Sequence, residues 1–538
     1  MRTEILIAGG GTGGVAAAMM ACDLGHRVIM TEETDWVGGQ LTAQIVPPDE
    51  HPWIEQFGCT RRYRDFRNRV RKAYFENSSL SESARSNPQL NPGKGWVSRL
   101  CFEPEVGLDV IQAMLAPYIA KGLLTVLLKH KPHSAMVNKD QVEAVRFLNL
   151  ETGKFLTVEA DVFLDATELG DLLPMTGTEY VVGAESKLDT KEPNAVEGPA
   201  EWDNVQGITW CFALANDPVG EHRIEKPEQY EKWKDWKPSF WPGPILGFDV
   251  LHAHTGETRE LPLYGRKPGD WYALFPYRQI VSPSVLPGKH PATVVNWPQN
   301  DYFEATIMDV DPLPRGDEIP EWFDIPGAMG PVSAVRLHDA KQLSLSLLYW
   351  LQNDAPRHDD QPGAYPNLYM SPALAGTEDG FAKYPYIREA RRIQAEYVVK
   401  EQDVAAYTNE NEDRAPSFDD SVGVGAYRID LHPSTNGANT IDTSTLPFEI
   451  PLRSLIPVRT KNLIPACKNL GVTHITNGCY RLHPVEWNIG ESAAALASYT
   501  LRMGSAQAVS SSPQKVAELQ KLLVNQGVEL RWPKLRAL

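Results

Sequence analysis

The sequence predicts an α/β chain that opens with a strand–helix–strand unit, carries a β-rich insert and adds helices towards its C-terminus. Three observations predict it. An apolar run, Ile5-Leu6-Ile7-Ala8, leads into six residues, five of them glycine, and then into a small-residue stretch at 15–24. Between Gly183 and Ala334 the apolar pattern shortens to strand-like runs, among many of the chain's 14 tryptophans and 42 prolines. Near the C-terminus a second small-residue stretch, 489–503, carries Ala493-Ala494-Ala495 and reads as a helix able to pack closely on another.

The opening unit explains itself residue by residue. Ile5 to Ala8 read as a short strand buried on both faces, as parallel strands are. The next six residues satisfy G-x-G-x-x-G at Gly9, Gly11 and Gly14. The tight turn needs the first glycine, a side chain at the second would collide with a pyrophosphate, and the third lets helix and strand approach. Phosphates would sit at the helix N-terminus, over Gly11, Thr12, Gly13 and Gly14, where N–H groups and the dipole favour negative charge. Gly25 closes the helix. A second strand, Arg27-Val28-Ile29-Met30, ends at Glu32. Glu32 lies 18 residues after Gly14, the distance at which an acid takes a ribose diol. An ordinary glycine-rich turn is the competing reading. Strand, helix, second strand and acid all in register favour a Rossmann-like dinucleotide site.

Val37-Gly38-Gly39-Gln40-Leu41-Thr42 follows. It resembles the second glycine-pair motif of FAD enzymes of the glutathione-reductase-like superfamily, which packs along the diphosphate and ribityl region. The resemblance implies FAD as cofactor and places Gly39, Gln40, Leu41 and Thr42 against it. Glu33 and His133 are counted with the cofactor-binding residues.

Residues 1–182 then form the N-terminal part of an FAD-binding domain, with an excursion at about 43–103. In that excursion the basic run 61–71 reads as a helix with a solvated face, and 80–95 as a surface loop. A helix from about 104 to 121 leads to a strand at 123–128, parallel by the crossover rule. An antiparallel meander is expected at 134–137, 142–145 and 155–158, before a last strand at 162–167. Asp165-Ala166-Thr167-Glu168 resembles the superfamily turn that comes back to the FAD diphosphate, with Glu168-Leu169 in place of the usual glycine.

Residues 183–334 form a β-rich substrate domain, with strands at 208–214 and 292–297. Residues 335–456 form a helical and loop region closing the active site: a helix at 333–353, another from about Tyr386, and a loop at 434–445. Residues 457–504 return to the FAD-binding domain, with 484–488 leading into a helix at 489–503. Residues 505–538 are a linker and a final helix, capped by Ser512 with Pro513 in its first turn.

At 538 residues the chain suggests two or three interleaved domains. No apolar run reaches the length of a membrane span, and the first strand begins too early to leave room for a signal peptide, so a cytoplasmic protein is expected. A net charge of −17 argues against nucleic acid as a partner. The six cysteines, Cys22, Cys59, Cys101, Cys211, Cys467 and Cys479, include no C-x-x-C and read as buried free thiols. His252-Ala253-His254 places two imidazoles on one strand face but lacks a third ligand, so no metal is expected.

Further blocks resemble a large bacterial family of FAD-dependent oxidoreductases: Tyr386-Ile387-Arg388-Glu389-Ala390-Arg391-Arg392-Ile393, Phe448-Glu449-Ile450-Pro451-Leu452-Arg453-Ser454-Leu455-Ile456-Pro457, Asn462-Leu463-Ile464, and Arg481-Leu482-His483-Pro484-Val485-Glu486-Trp487-Asn488-Ile489-Gly490. The resemblance implies an enzyme that dehydrogenates or reduces a small organic substrate by hydride transfer to or from flavin N5. A helix start at Asn488-Ile489-Gly490 would point N–H groups at the flavin's pyrimidine edge. Proton transfer falls to His432 or His483, with Glu486 as another acid/base candidate. Arg99, Arg388 and Arg481 are candidates to hold a carboxylate. Each has a structural alternative, Arg388 as the ion-pair partner of Glu389 being the clearest. Two rival functions stand beside this one: a flavin-dependent monooxygenase, and a protein that holds FAD without redox turnover.

Overall fold

A computed structural model describes residues 1–252, 255–265, 273–308, 319–359, 361–409, 412–437 and 440–533. β1 (Arg2–Ala8), α1 (Thr12–Asp23) and β2 (Val28–Glu32) form where the sequence predicts them. The apolar run of β1 is covered on both faces: Ile5 and Ile7 join the core on the α1 side, Leu6 and Ala8 the core opposite. α1 is buried from Thr12 to Cys22, which its glycines and alanines permit. Gly25, at φ +88°, turns the chain out of it.

The chain leaves the sheet through α2 (Arg61–Asn77) and α3 (Pro104–Ala120) and returns as β3 (Leu124–Leu128), parallel to β2. The basic run of α2 is solvated only in part: Arg61 and Arg69 are exposed, while Arg62, Arg67 and Arg71 are buried. Arg67 is buried between Glu50 at 2.8 Å and Glu55 at 2.7 Å, and Arg62 reaches Glu491 at 2.7 Å. β4 (His130–Asn138), β5 (Gln141–Asn149) and β6 (Phe155–Asp165) follow. The strands expected at 155–158 and 162–167 are one. Glu159-Ala160-Asp161 contains no glycine or proline and keeps alternating exposed and buried, so nothing breaks the strand. β6 pairs antiparallel with β5 over its first half and parallel with β1 to its end.

A second sheet is antiparallel. β7 (Phe212–Asn216), β8 (Gln279–Val281), β9 (Ala292–Val295) and, after α4 (Pro331–Asn353), β10 (Leu368–Met370) stand in the order β8-β9-β7-β10. The run 208–214 is interrupted: Ile208–Thr209 pairs with Asp301–Tyr302 instead, and Trp210 turns its carbonyl to the Ser344 hydroxyl at 2.8 Å. No helix starts near Tyr386. The segment is extended, with Tyr386 bridged to Thr209 and Arg392–Ile393 paired with Tyr180–Val181. Extended backbone lets neighbouring charges reach different buried partners: Arg388 takes Asp301 at 2.9 Å, Arg391 the Leu169 carbonyl at 2.9 Å, and Arg392 Glu185 at 2.8 Å. Glu389 therefore pairs with Arg392 and His474, not with Arg388.

β11 (Leu463–Pro465) closes the first sheet, lying parallel to the second half of β6. The sheet has seven strands, β3-β2-β1-β6-β5-β4 with β11 beside β6. α5 (His483–Met503) begins at His483, not at Ile489. Pro484, read in sequence as part of a lead-in, sits in the first helical turn, where a missing N–H breaks no helical hydrogen bond. α5 packs on α1 at two glycines: a Cβ at Gly490 would lie 2.0 Å from the Gly13 carbonyl oxygen. α6 (Pro513–Asn525) follows, capped by the Ser512 hydroxyl as expected. All six cysteines are free and buried. Among the described residues no helix is long and apolar enough to cross a membrane, and no cluster of three His, Cys, Asp or Glu could hold a metal. His254 lies outside the described residues.

Candidate functional site

The turns after β1 and β6 meet the 38–44 segment over a groove. The three motif glycines do three different things. Gly9, at φ +98°, lies so close to the next turn that a Cβ would be 2.2 Å from the Ala166 carbonyl oxygen. A Cβ on Gly14 would be 2.1 Å from the Gly9 carbonyl oxygen, which is the helix–strand contact. On Gly11 it would meet only the Glu168 carboxylate at 3.0 Å and the Ala166 oxygen at 3.8 Å, so Gly11 opens on the groove. The second glycine pair docks on the first turn: Gly38 N–H donates to the Gly10 carbonyl at 2.7 Å, and the Thr12 hydroxyl to that of Gly38 at 3.0 Å.

Glu32 stands at the groove, fully buried, accepting from Gly10 N–H at 2.9 Å and Thr34 N–H at 2.8 Å. Burial pushes its carboxyl up to about 7, against the pull of those hydrogen bonds. Glu168 reaches across from the other side and binds the ammonium of Lys468, which also lies 3.8 Å from Glu486. Burial opposes charge on Lys468, but the two carboxylates hold its pKa above the ordinary lysine range.

A cavity of about 290 Å³ is lined by Tyr277, Arg278, Asn296 and Trp297 of the 183–334 region and by Asp430 and His432 from beyond it. It is wired to the start of α5 twice. Arg278 stands 3.3 Å from Asp49, whose backbone N–H donates to His483 Nδ1 at 3.0 Å. Arg481 donates to the Asp430 carbonyl at 2.9 Å and to the Tyr386 hydroxyl at 3.1 Å, and its own carbonyl accepts from Gln40 at 2.9 Å. His432 holds Asp301 at 2.5 Å through Nδ1, and its Nε2 is 3.6 Å from Asp430. Burial alone would raise both acids; His432 and the nearby arginines hold them below the usual carboxylate range. Burial drives His483 the other way, down to about 4, so its ring is neutral.

A family model described as FAD dependent oxidoreductase matches residues 4–523. The chain belongs to this family. It is an oxidoreductase and its cofactor is FAD. No curated protein matches the sequence. Among solved structures, quinol fumarate reductase of E. coli is 11% identical, over 96% of this chain and 74% of that one, with a TM-score of 0.31. L-proline dehydrogenase of P. horikoshii is 11% identical over 34% of this chain, with a TM-score of 0.18. Adenylylsulfate reductase of Archaeoglobus fulgidus is 16% identical over 31%, with a TM-score of 0.21. The chain spans only 24% and 30% of the length of the last two.

The groove suits FAD chemically. No side chain caps α1 and no acid sits in its first turn, so the positive end of the helix is left for an anion. Gly11 leaves room above that end, and Glu32 ends β2 as a ribose acceptor would. Glu168 opposes a diphosphate, as do Glu33 and Asp171 in the same lining; Lys468 offsets the charge of Glu168, and Lys131 that of Glu33.

Of the residues expected at FAD, Gly9, Gly11, Glu32 and Glu33 line the groove, as do Gly39, Ala166, Thr167 and Glu168. Glu33 also pairs with Lys131 at 2.9 Å. Thr12 is turned to Gly38, Gly13 lies under Ala466 and α5, and Gly14 lies under Gly9. Gln40, Leu41 and Thr42 stand behind the groove wall. Gln40 ties Arg481 to Glu486, Leu41 is core, and Thr42 donates to the Val37 carbonyl at 2.6 Å. His133 packs against Phe155 and Phe323, with ring centroids at 4.8 and 5.6 Å, and His130 lines the groove in its place. Asn488, Ile489 and Gly490 are inside α5, so their N–H groups belong to the helix ladder. In its first turn Pro484 has no N–H and the Glu486 N–H is taken by the Leu482 carbonyl at 2.8 Å, which leaves those of His483 and Val485 outside the ladder.

Among the catalytic candidates, Asp430 brings His432 and Arg481 together, and Asp49 joins His483 to the same cavity. Glu486 faces Lys468 and Gln40 on the groove side. Arg99 is exposed and outside the cavity wall. Sequence reasoning missed Arg278, Asp49, Asp301 and Lys468. Asp430 was missed as well, and it alone carried a signal: in Asp430-Leu431-His432, at the end of the strand Ile429–Leu431, acid and imidazole are two residues apart.

Proposed function

We propose that this is a glutathione-reductase-like flavoenzyme that dehydrogenates, or in reverse reduces, a small organic substrate held in the cavity beside α5. The observation that carries the reading is the double link between groove and cavity through the start of that helix, Gln40 to Arg481 and Asp49 to His483. FAD, when bound, supplies the hydride acceptor or donor at N5. The protein's own share is then clear. Gly11, the uncapped end of α1 and Glu32 hold the adenosine diphosphate, and the first turn of α5 carries N–H groups towards the ring. Residues 1–182 and 457–504 make the Rossmann-like FAD-binding domain, and 183–334 the substrate domain.

His432 is the proton acceptor in this reading. Asp301 fixes its Nδ1–H, as a buried carboxylate orients a catalytic imidazole, and Nε2, which stands 3.6 Å from Asp430, takes the substrate proton. Arg388 in turn fixes Asp301. The test is anaerobic reduction of the purified yellow protein against amines, amino acids, alcohols and sugars. Bleaching by one class, slowed at least 100-fold in His432→Ala, supports the reading. A folded preparation that takes up no flavin removes it. Full-speed bleaching in both His432→Ala and His483→Ala removes the proton assignment.

A further inference from the structure

One buried guanidinium sets two side chains of the cavity. Arg388 Nη2 lies 2.9 Å from Asn296 Oδ1 and 2.9 Å from Asp301. Asp301 holds His432 Nδ1 at 2.5 Å, and Asn296 and His432 both line the cavity. A short stretch of chain brings the parts together. Asn296 follows β9, and Pro298–Asn300 make one tight turn, in which Asn300 Oδ1 accepts from the Trp297 N–H at 2.9 Å. Asp301 comes next. The contact with Arg388 also decides which way the Asn296 amide points. A guanidinium only donates, so Oδ1 must face it and Nδ2 must face away. Nδ2 makes no hydrogen bond among the described residues, and it is not sealed as the indole nitrogens of Trp241 and Trp297 are. On a residue only 5% exposed that lines the cavity, that accessible donor opens on the cavity.

An N–H donor beside a proton acceptor discriminates between the bonds that could be oxidised. An alcohol gives its O–H proton to His432 Nε2 and its C–H hydride to FAD, and its C–O single bond becomes C=O. Its oxygen keeps lone pairs throughout, so a donor aimed at it binds more strongly as negative charge develops there. Asp430, 3.6 Å from Nε2, faces the imidazolium that this step makes. An amine passes instead through an iminium, whose nitrogen has no lone pair, and the Asn296 N–H would then face another N–H. A C–C dehydrogenation has no heteroatom at the reacting bond.

We propose that the substrate is an alcohol and that Asn296 is a catalytic residue, donating from Nδ2 to the hydroxyl oxygen whose proton His432 takes. The inference rests on the reading of this cavity as the substrate site of an FAD dehydrogenase, and it adds the bond that is oxidised.

Pairs that differ only in the reacting heteroatom test it on the flavin-loaded protein: benzyl alcohol and benzylamine, cyclohexanol and cyclohexylamine, lactate and alanine. At least one alcohol is expected to bleach the yellow protein without oxygen, and its amine partner to leave it yellow. The matching carbonyl compounds, benzaldehyde, cyclohexanone and pyruvate, give a readout apart from turnover. Trp96, Trp241 and Trp297 border the cavity, so tryptophan fluorescence follows their binding. Asn296→Asp keeps the acceptor for Arg388 and removes the donor. It is expected to bleach about 100-fold more slowly with that alcohol and to bind the carbonyl compound at least about 5-fold more weakly, with circular dichroism and colour kept. Asn296→Ala serves as the second variant should the added charge prevent folding. An amine that bleaches the protein as fast as its alcohol partner overturns the proposal and leaves the dehydrogenase reading standing. Unchanged bleaching in a folded variant also overturns it, as does a parent protein that neither bleaches with any alcohol nor binds any carbonyl compound. Carbonyl binding that depends on Asn296, with no bleaching by any alcohol or amine, keeps the oxygen-binding role and counts against the dehydrogenase reading instead.

Discussion

Lys468 is fully buried, with its ammonium on the Glu168 carboxylate and the Glu486 carboxylate 3.8 Å away. One cation thus stands between two acids, at the edge of the groove and against the first turn of α5. Taking the cation away leaves two carboxylates facing each other in a low-dielectric interior. Breaking a buried pair from one side costs more than the pair itself contributes. Lys468→Met is therefore expected to lose about 3–5 kcal/mol of unfolding free energy, measured by urea denaturation of the flavin-free protein. A loss within error of zero would show that the cluster is wet.

The same pair makes a prediction about FAD. Glu168 brings negative charge to within contact of Gly11 and Gly39, where the diphosphate is proposed to lie. Glu168→Gln keeps the shape, removes the charge, and leaves Lys468 free to face the phosphates. FAD is expected to bind about 5- to 10-fold more tightly to this variant, a gain of about 1 kcal/mol. Reconstitution of stripped protein, followed by quenching of flavin fluorescence, reads the change. Weaker binding would mean that Glu168 accepts from the cofactor's hydroxyls instead.

The N-terminal unit was legible because each glycine answers a local demand: a left-handed φ at Gly9, open space at Gly11, a close approach at Gly14. The start of α5 was not. Pro484 suggests a break, and only the tertiary setting shows it seated in the first turn. The 386–393 segment was misread for a related reason. Its charges look like those of a solvated helix, yet their partners, Asp301, Glu185 and Leu169, lie far away in sequence. The Lys468–Glu168 pair spans 300 residues and leaves no local pattern at all.

His483 predicts an acid limb in the stability profile. Unfolded, its imidazole protonates near the ordinary histidine value of 6.5; folded, burial delays that to about 4. The unfolded state therefore binds more protons between these values, and stability falls as pH drops through that window. The loss reaches up to ~3 kcal/mol at the bottom of it, at about 1.36 kcal/mol per pH unit. His483→Asn keeps an acceptor near the Asp49 N–H but cannot titrate, so its melting temperature is expected to vary less between pH 6.5 and 4. Parallel profiles for variant and parent would assign the limb to other groups.

Two glycine-to-alanine changes separate folding from cofactor binding. At Gly490 the new methyl group would lie 2.0 Å from the backbone oxygen of Gly13, and neither helix can yield without moving its partner. Gly490→Ala is expected to lower stability by at least about 1–3 kcal/mol, the cost of overpacking, whether or not FAD is present. At Gly11 the backbone is extended, with φ −66° and ψ −170°, which any residue adopts. Its methyl group would meet only the end of the Glu168 side chain at 3.0 Å, which can move aside. Gly11→Ala should therefore melt like the parent when both are stripped of flavin, yet lose most of its affinity for FAD, because the space above the α1 terminus is filled. Calorimetry of the stripped proteins and the yield of bound flavin give the two readouts. A Gly11→Ala protein that stays as yellow as the parent would mean that the diphosphate does not lie on that turn.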